Sequence, residues 1–286
     1  MNYRKKIDVN IVNIPKPFIE GSRGGKCGQC CSNQKVIASL DSNDPHKNDV
    51  TGVYMKKGTT SDVVTFKLED CKGVELPNYG VEGLFPNDDL AVGFIYDWKE
   101  ILQNHGKGTY TIRVDFTIAG LSGGYELRKM DLRNYSFDNV KNSVRIYSEF
   151  NSYFEPDDID FTGSNFKDTV RFNGFFGNRE PETEVSNLIG KNREVEKVIR
   201  ENLNKHTLRT DLIEIGMSNQ LIDFHLLSQD VTKISDYNRF NHDYNILDKS
   251  VVLIDTPKVE YKEMDRRMLL TATFGDKKMQ DRSFYR

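Results

Sequence analysis

Hydrophobic and polar residues alternate between residues 143 and 177, and this alternation predicts two long β-strands. The first strand has apolar and polar faces, Val144, Ile146, Phe150 and Phe154 against Arg145, Tyr147, Glu149, Asn151 and Tyr153. The second strand repeats the pattern, Phe166, Val170, Phe172 and Phe176 against Lys167, Thr169, Arg171 and Asn173. Period-2 alternation is typical of a half-buried strand. An acidic turn over residues 155–160, followed by Gly163, joins the two strands into a wide central hairpin.

The chain before this hairpin also has the pattern of a β protein. Strands are predicted over residues 35–40, 61–69, 91–96, 109–119 and 125–132, the last two as a hairpin. Asp97 and Glu100 form a capping box that predicts a short helix from Trp98, and Gly106 suits its exit. Tyr110 then opens a strand, as the corner tyrosine of an immunoglobulin-like sandwich does, so we predict a buried ring with its hydroxyl bonded to nearby backbone. Any antiparallel sandwich with a buried tyrosine would give nearly the same pattern.

The chain after the hairpin continues with strands at residues 207–213, 231–237, 251–254 and 268–274. Residues 191–206 contain good helix formers, yet their apolar and polar residues also alternate. We favour extended structure there because the surroundings are β. Ser218 is predicted to cap a helix that runs to Leu227, with Leu221, Phe224 and Leu227 on its inner face.

The predicted fold is mainly β, with two antiparallel β-sandwich domains, the first immunoglobulin-like, and one or two short helices. The length of 286 residues suits two cores. We expect residues 1–34, which are rich in proline and glycine, to form an extended arm. Residues 35–135 would form the immunoglobulin-like sandwich, and residues 143–286 the second β-rich domain with the central hairpin.

Charge and composition exclude some classes of partner. The net charge of −3 and the absence of a basic run argue against general binding to nucleic acid or to an anionic membrane. The amino terminus lacks the apolar core of a signal peptide, and no stretch approaches the roughly 18 apolar residues of a membrane span. We therefore expect synthesis in the cytoplasm and no membrane partner.

The cysteines and the acidic turn are the candidate metal ligands. Cys27, Cys30 and Cys31 lie close together in the sequence, and Cys71 lies apart. This spacing lacks the two paired knuckles of a zinc ribbon, so we expect the cysteines to be reduced. In the acidic turn, the carboxylates that could bind calcium are those of Glu155, Asp157, Asp158 and Asp160. Their spacing matches no EF-hand loop, and acidic hairpin tips are usually just solvated, so we predict no metal.

No motif of an enzyme is evident in the sequence. The five histidines are scattered, and the chain has no nucleophile elbow, no phosphate-binding glycine loop and no C-x-x-C beside a βαβ unit. We therefore expect neither catalysis nor a cofactor. The 13 Tyr and 17 Phe leave an alternative function open, that of a carbohydrate-binding β-sandwich module of a fibre or surface protein. Such a module would need two or three coplanar rings that line a groove.

Four long stretches carry a family resemblance: SVRIYSEFN (143–151), FTGSNFKDTVRFNGFFGNREPE (161–182), ISDYNRFNHDYN (234–245) and LLTATFGDKKMQDRSFYR (269–286). In these the chain resembles a virion structural protein of the crAss-like tailed bacteriophages of Bacteroidetes. The resemblance implies a ring protein of the tail or of the head-to-tail connector, located in the virion tail. It implies no catalytic residues.

The amino-terminal arm is the candidate interface of such a ring. The apolar residues of the arm are Ile11, Ile14, Phe18 and Ile19. They cannot join the core of their own chain as part of a regular element, because prolines and glycines interrupt the arm. We expect them to lie on an adjacent copy in a symmetrical ring of six or twelve copies, with other tail or connector proteins as further partners.

Overall fold

The protein is mainly β, as predicted. The structure is a computed structural model, and it describes residues 34–118, 121–189, 195–227, 230–238, 246–261 and 267–277. Its strands are β1 (Gln34–Ala38), β2 (Val50–Lys56), β3 (Val63–Asp70), β4 (Glu75–Leu76), β5 (Gly80–Gly83), β6 (Ala91–Asp97), β7 (Gly108–Ile118), β8 (Leu121–Asn134), β9 (Ser143–Glu149), β10 (Tyr153–Phe154), β11 (Ile159–Asp160), β12 (Lys167–Ile189), β13 (Val195–Thr210), β14 (Ile213–Glu214), β15 (Val231–Asp236), β16 (Lys249–Leu253), β17 (Lys258–Tyr261) and β18 (Arg267–Asp276). Its helices are α1 (Trp98–His105), α2 (Phe137–Val140), α3 (Ile215–Asn219) and a π-helix (Gln220–Leu226), with 3-10 turns at Pro45–Lys47 and Glu155–Asp157.

Strands β1 to β8 make up two sheets, which we call the front half. One sheet has the order β1-β8-β7-β3-β4 and the other the order β2-β6-β5. Strand β1 runs parallel to β8, whereas the other pairs are antiparallel. Residues of both sheets share one buried cluster, with Val53 and Tyr96 from one and Leu68 and Ile112 from the other. Alternate residues of each strand therefore bury one face of each sheet in a common core.

Helix α1 joins β6 to β7 and closes one end of this core. Its N-cap residue Asp97 accepts a hydrogen bond from the Lys99 N–H, at 2.8 Å. Gly106 ends the helix with φ +82°, a conformation that favours glycine. The Tyr110 hydroxyl donates to the carbonyl oxygen of Gly106 at 2.8 Å, and its ring is buried. The predicted Asp97 cap, glycine exit and tyrosine hydrogen bond are thus confirmed, but the capping box is not completed by Glu100, because the Asp97 N–H donates to the carbonyl oxygen of Tyr79 at 3.0 Å.

The second half of the chain closes into a barrel of six antiparallel strands. Its order is β13-β12-β9-β15-β16-β18, and β18 pairs back with β13. The core of the barrel is apolar and includes Val144, Ile146, Phe176, Leu208 and Phe274. We expected a second open sandwich here, and a closed barrel is found instead. The reason is that β18 has strand partners along both sides, and closure leaves the barrel ladder without an edge.

The central hairpin pairs as predicted but packs differently from the prediction. Strands β9 and β12 are antiparallel neighbours, with Val144 opposite Phe172. Phe150, Phe154 and Phe166 do not join the barrel core, because their segments leave the ladder and enter a separate aromatic cluster. Part of the polar face of the hairpin is buried too, since the front half covers Arg145, Thr169 and Arg171.

The structure shows the secondary structure of two segments, residues 195–206 and the helical segment before Leu227. Residues 195–206 belong to β13, so extended structure is confirmed for the described part of the ambiguous segment. The helical segment starts at Ile215, earlier than predicted, and Ser218 caps nothing: its hydroxyl is buried without a hydrogen-bond partner in the described residues. Leu227 is 58% exposed, so its inward placement was wrong. The wider winding of the π-helix turns Leu226 inward in its place.

Candidate functional site

Two arginines on the outer side of the barrel are buried against the front half. Arg145 of β9 and Arg171 of β12 are direct cross-strand partners, and both side chains are almost fully buried. Like charges at such positions repel each other. The carboxylate of Asp49, which precedes β2, lies between them. It accepts from Arg145 Nε at 2.8 Å and from Arg171 Nε and Nη2 at 3.1 Å each.

This carboxylate is held in its ionised form. Burial by itself would raise the pKa of Asp49, but Arg171 and Arg145 hold the pKa below its usual value. The backbone N–H of Ile37 also donates to it, at 2.8 Å. Arg145 has a second acid, Asp248, at 3.0 Å. Two arginines and two carboxylates therefore balance in charge, as buried ions must to be tolerated.

A second polar cluster lies inside one end of the barrel and is centred on Asp168. Its carboxylate accepts from the Gly52 N–H at 3.1 Å and from Arg128 Nη1 at 3.2 Å, and both of these residues belong to the front half. His225 of the π-helix places Nε2 3.3 Å from the same carboxylate. Burial would raise the pKa of Asp168, yet Arg128 and His225 hold it low. We call the two clusters together the junction, because each ties a barrel strand to the front half.

The close approach at the junction requires a glycine in β2. A Cβ added to Gly52 would lie 2.5 Å from the carbonyl oxygen of Lys167 and 2.6 Å from the ring of Phe166. Any side chain at this position would therefore push β2 away from β12 and break the hydrogen bond to Asp168.

The groups around His225 have the composition of a catalytic triad but not its accessibility. Ser148 Oγ lies 3.0 Å from His225 Nδ1, and the opposite ring nitrogen faces Asp168. All three side chains are fully buried. A nucleophile must reach a substrate, and no path from solvent is present at zero exposure. In this structure the arrangement is therefore a buried polar cluster.

An aromatic cluster covers the same end of the barrel and contacts the front half. Rings of Phe150 and Phe224 stack at 4.1 Å between centroids, and Tyr54 of β2 meets Phe161 and Phe166 edge-on. Such ring pairs add to the stability that burial provides. The aromatic residues of the central hairpin thus serve as core, which leaves few rings for a ligand.

Three of the four carboxylates of the acidic turn, those of Asp157, Asp158 and Asp160, have separate partners. Asp157 is buried and accepts a hydrogen bond from the Tyr54 hydroxyl. Asp158 pairs with Lys56 at 2.8 Å. Asp160 accepts from the Thr162 N–H at 2.8 Å. Within the described ranges, no three His, Cys, Asp or Glu side chains are grouped to hold a metal ion.

Most of the other candidate residues lie outside the described part of the chain. Ile11, Ile14, Phe18 and Ile19 lie outside the described residues, as do Cys27, Cys30 and Cys31. Cys71 is disulfide-bonded, so the expectation of reduced cysteines was wrong for this residue. Its partner lies outside the described residues, and the spacing of the cysteines in the sequence does not identify it.

Exposed aromatic rings do not form a binding groove in the part of the chain that is described. Those more than a third exposed are Phe137, Tyr153 and Tyr261, and they lie on three separate elements. A carbohydrate platform would need neighbouring rings. No helix among the described residues has the length and hydrophobicity to cross a membrane.

A scan against models of protein families finds no match, and a search of curated proteins finds no similar sequence. The class that the structure itself defines is a mainly β protein whose two halves are tied together by buried charge.

Proposed function

We propose that this protein is a structural component of a bacteriophage virion, a ring protein of the tail or of the head-to-tail connector. The observation that supports this most is the junction. Its buried charges, which in an enzyme would serve chemistry, fix the front half on the barrel in one orientation. A ring subunit needs such rigidity, because every copy must present the same two surfaces at the same angle. The similarity of the four sequence stretches to crAss-like virion proteins gives the biological context.

We also infer that the front half is an immunoglobulin-like sandwich. Its support is the strand order: a three-stranded sheet faces a sheet in which the first strand runs parallel to the last. The hydrogen bond from Tyr110 to Gly106, beside the helix that precedes β7, is the second support. Domains of this architecture are common as rigid spacers and contact surfaces, which agrees with a structural role.

The proposed partners are further copies of the chain and other tail or connector proteins. The near-neutral charge suits a surface that other protein covers, whereas a surface that grips DNA would be basic. The amino-terminal arm, with Ile11, Ile14, Phe18 and Ile19, is proposed to lie on the adjacent copy.

The first test is the protein composition of purified virus particles. Quantitative mass spectrometry should find the protein in a fixed number of copies per particle, and immunogold electron microscopy should locate it at the tail or at the connector. Its absence from purified particles, or a copy number that varies between preparations, would refute the proposal. A melting temperature that rises with a specific glycan would instead favour the carbohydrate-binding module.

The second test concerns the arm. A variant that lacks residues 2–25 should remain folded by circular dichroism but should fail to enter particles, because the contact that it makes on the next copy is lost. Full-length protein expressed at the same level is the control. If the truncated protein enters particles as well as the full-length one, the arm is not the interface.

A further inference from the structure

Cys71 lies on the exposed turn between β3 and β4, and its sulfur is part of a disulfide bond. The chain has four cysteines, and the other three are Cys27, Cys30 and Cys31, which we call the cysteine cluster. A disulfide within one chain can only take its second sulfur from this cluster. The bond of Cys71 therefore joins the β3–β4 turn to the amino-terminal arm.

The β3–β4 turn holds Cys71 at a defined place on the front half. The Asp70 carboxylate accepts from the Lys72 N–H at 2.8 Å and from the Val74 N–H at 2.9 Å. Gly73 has a φ of +78°, a conformation that favours glycine, and its N–H donates to the carbonyl oxygen of Asp70 at 3.0 Å. A disulfide at this turn therefore attaches the arm to a hydrogen-bonded part of the sheet.

The register of the front sheet gives the distance that the arm must cover. One row of paired residues crosses β3, β7, β8 and β1, namely Asp70, Tyr110, Met130 and Gln34. Neighbouring strands are about 4.8 Å apart, so three steps place Gln34 roughly 14 Å from Asp70, the neighbour of Cys71. Strands β7 and β8 lie between the two ends of this row, so the arm must pass over them.

This distance favours two of the three cluster cysteines. Cys31 is three residues before Gln34, and three extended residues reach at most about 11 Å. A disulfide adds about 5.5 Å between Cα atoms, so Cys31 would need a straight path through β8 and β7. Cys30 has one residue more, and Cys27, seven residues before Gln34, reaches about 25 Å. We therefore expect the partner of Cys71 to be Cys27 or Cys30.

Cys27 and Cys30 have the C-x-x-C spacing, which allows a disulfide between them. When one of them is bonded to Cys71, the thiolate of the other can attack its sulfur. The Cys27–Cys30 bond forms, the bond to Cys71 breaks, and the Cys71 sulfur leaves with the electron pair. The Cys71 thiolate then takes up a proton, which balances the one that the attacking thiol gave up. One disulfide replaces another, so the step needs neither an oxidant nor a reductant.

We propose that Cys71, Cys27 and Cys30 form a thiol–disulfide exchange latch, which attaches the amino-terminal arm to the front half or releases it. With the latch closed, the residues before Cys27 leave the protein from the β3–β4 turn. With the latch open, the arm leaves from the start of β1, three strands away. In the proposed ring this decides which surface of the next copy the arm can reach. That consequence rests on the proposed function, whereas the latch itself does not.

The first measurement locates the bond in the full-length protein. Protein equilibrated with reduced and oxidised glutathione is quenched with acid, alkylated with N-ethylmaleimide and digested with trypsin without reductant. Cleavage after lysine yields residues 27–35, with the whole cysteine cluster, and residues 68–72, with Cys71. The two peptides should be linked, and the larger one should carry two N-ethylmaleimide groups, one for each cluster thiol outside the bond. Fragmentation should place the bond on Cys27 or Cys30.

The second measurement follows the exchange. The linked protein is freed of glutathione and kept at about pH 8, where part of the thiol is ionised, before the same quench and digest. A second isomer should appear, in which residues 68–72 are alkylated and residues 27–35 contain an internal bond. Cys31→Ser is the matched control and should form this isomer like the original protein. Cys27→Ser with Cys31→Ser keeps Cys30 to bond Cys71 but leaves no thiol to attack, so the isomer should decrease about tenfold or more.

Several results would overturn the inference. One is that the 68–72 peptide is fully alkylated after equilibration with glutathione, or is linked to a second copy of itself. Another is that fragmentation places the bond on Cys31. The exchange is refuted if the second isomer is absent from the original protein, or if the double variant forms it as readily. None of these results decides the proposed function, which the protein composition of purified particles tests by itself.

Discussion

Asp49→Ala should destabilise the protein more than any exposed acidic substitution. In the structure its carboxylate has no solvent exposure and accepts hydrogen bonds from Arg145, from Arg171 and from the Ile37 N–H. Removal of the carboxylate leaves two adjacent guanidinium groups without the anion between them. Arg145 retains Asp248, whereas Arg171 retains, among the described residues, Ser143 Oγ at 3.3 Å and the face of the Tyr237 ring.

The expected loss follows from this geometry. Removing one partner of a buried ion pair costs about 3–5 kcal/mol, most of it because the other charge stays buried. Asp44→Ala is a suitable control. Its carboxylate lies 2.7 Å from Lys47, as close as any contact of Asp49, but its side chain is 53% exposed, and solvent screens the pair. We expect no resolvable change in stability from the control.

The assay is urea unfolding with two probes. Trp98 is the single tryptophan and lies fully buried in the front half, so its fluorescence reports that half, while far-UV circular dichroism reports the whole β structure. In the original protein the two transitions should coincide, because the junction couples the halves. In Asp49→Ala the transitions should shift to lower urea and separate. If Asp49→Ala unfolds like Asp44→Ala, the junction is not a determinant of stability.

The dependence on pH gives an independent check of the same group. The pKa of Asp49 in the folded protein is below its value of about 3.9 in the unfolded chain. Its contribution to stability is therefore complete above about pH 4 and is lost as the pH falls through the folded pKa. Asp49→Ala should remove this part of the acid sensitivity, so the two proteins should approach each other in stability at low pH.

Two further predictions concern single side chains of the front half and of the acidic turn. Tyr110→Phe should lower the free energy of unfolding by about 1 kcal/mol, the usual value of one buried hydrogen bond, and Tyr110→Ala should lower it by about 3 kcal/mol or more because of the cavity. Equal small losses for both variants in urea unfolding would contradict the buried position of the ring. Burial raises the pKa of Asp157 to about 6, with Asp223 adding to the rise and the Tyr54 hydroxyl opposing it. Because the pKa of Asp157 is raised in the folded protein, stability should fall as the pH rises from about 4 to about 6. Asp157→Asn should flatten this slope and increase the free energy of unfolding by about 1–2 kcal/mol at pH 7. Melting temperatures that change in parallel between pH 4 and pH 7 for the variant and the original protein would contradict this prediction.

The strands were predictable because their signal is local. Alternation of side chains over five to ten residues identifies a strand wherever one face is buried, and β7, β9 and β18 were found in this way. The helix at Trp98 was equally local, since its cap and its terminal glycine stand in the sequence itself. Neither kind of signal says which strands are neighbours. Closure of the barrel depends on pairing between Leu208 and Ala272, and no short pattern contains that information.

The junction was missed because alternation distinguishes two faces but does not say what covers them. Arg145 and Arg171 stand at polar positions of an amphipathic hairpin, which is also where solvated residues stand. One signal was available: pairing of the two arms places these arginines opposite each other, and a repulsive pair in a regular ladder calls for an anion from elsewhere. The position of that anion, Asp49, about a hundred residues earlier in the chain, follows only from the tertiary structure.

Buried charge at the junction has a consequence that apolar packing would not have. An apolar contact tolerates small rotations, because dispersion and the hydrophobic effect have no direction. The fork of Arg171 donates to the Asp49 carboxylate through two N–H groups in one plane, which fixes angle as well as distance. Asp168 adds a second fixed point through Gly52 and Arg128. Two such points determine how the front half is oriented on the barrel, and in a ring an error in this angle would be repeated at every contact. The cost of burying ions is therefore reasonable for the proposed ring subunit, whose function would be to hold a shape.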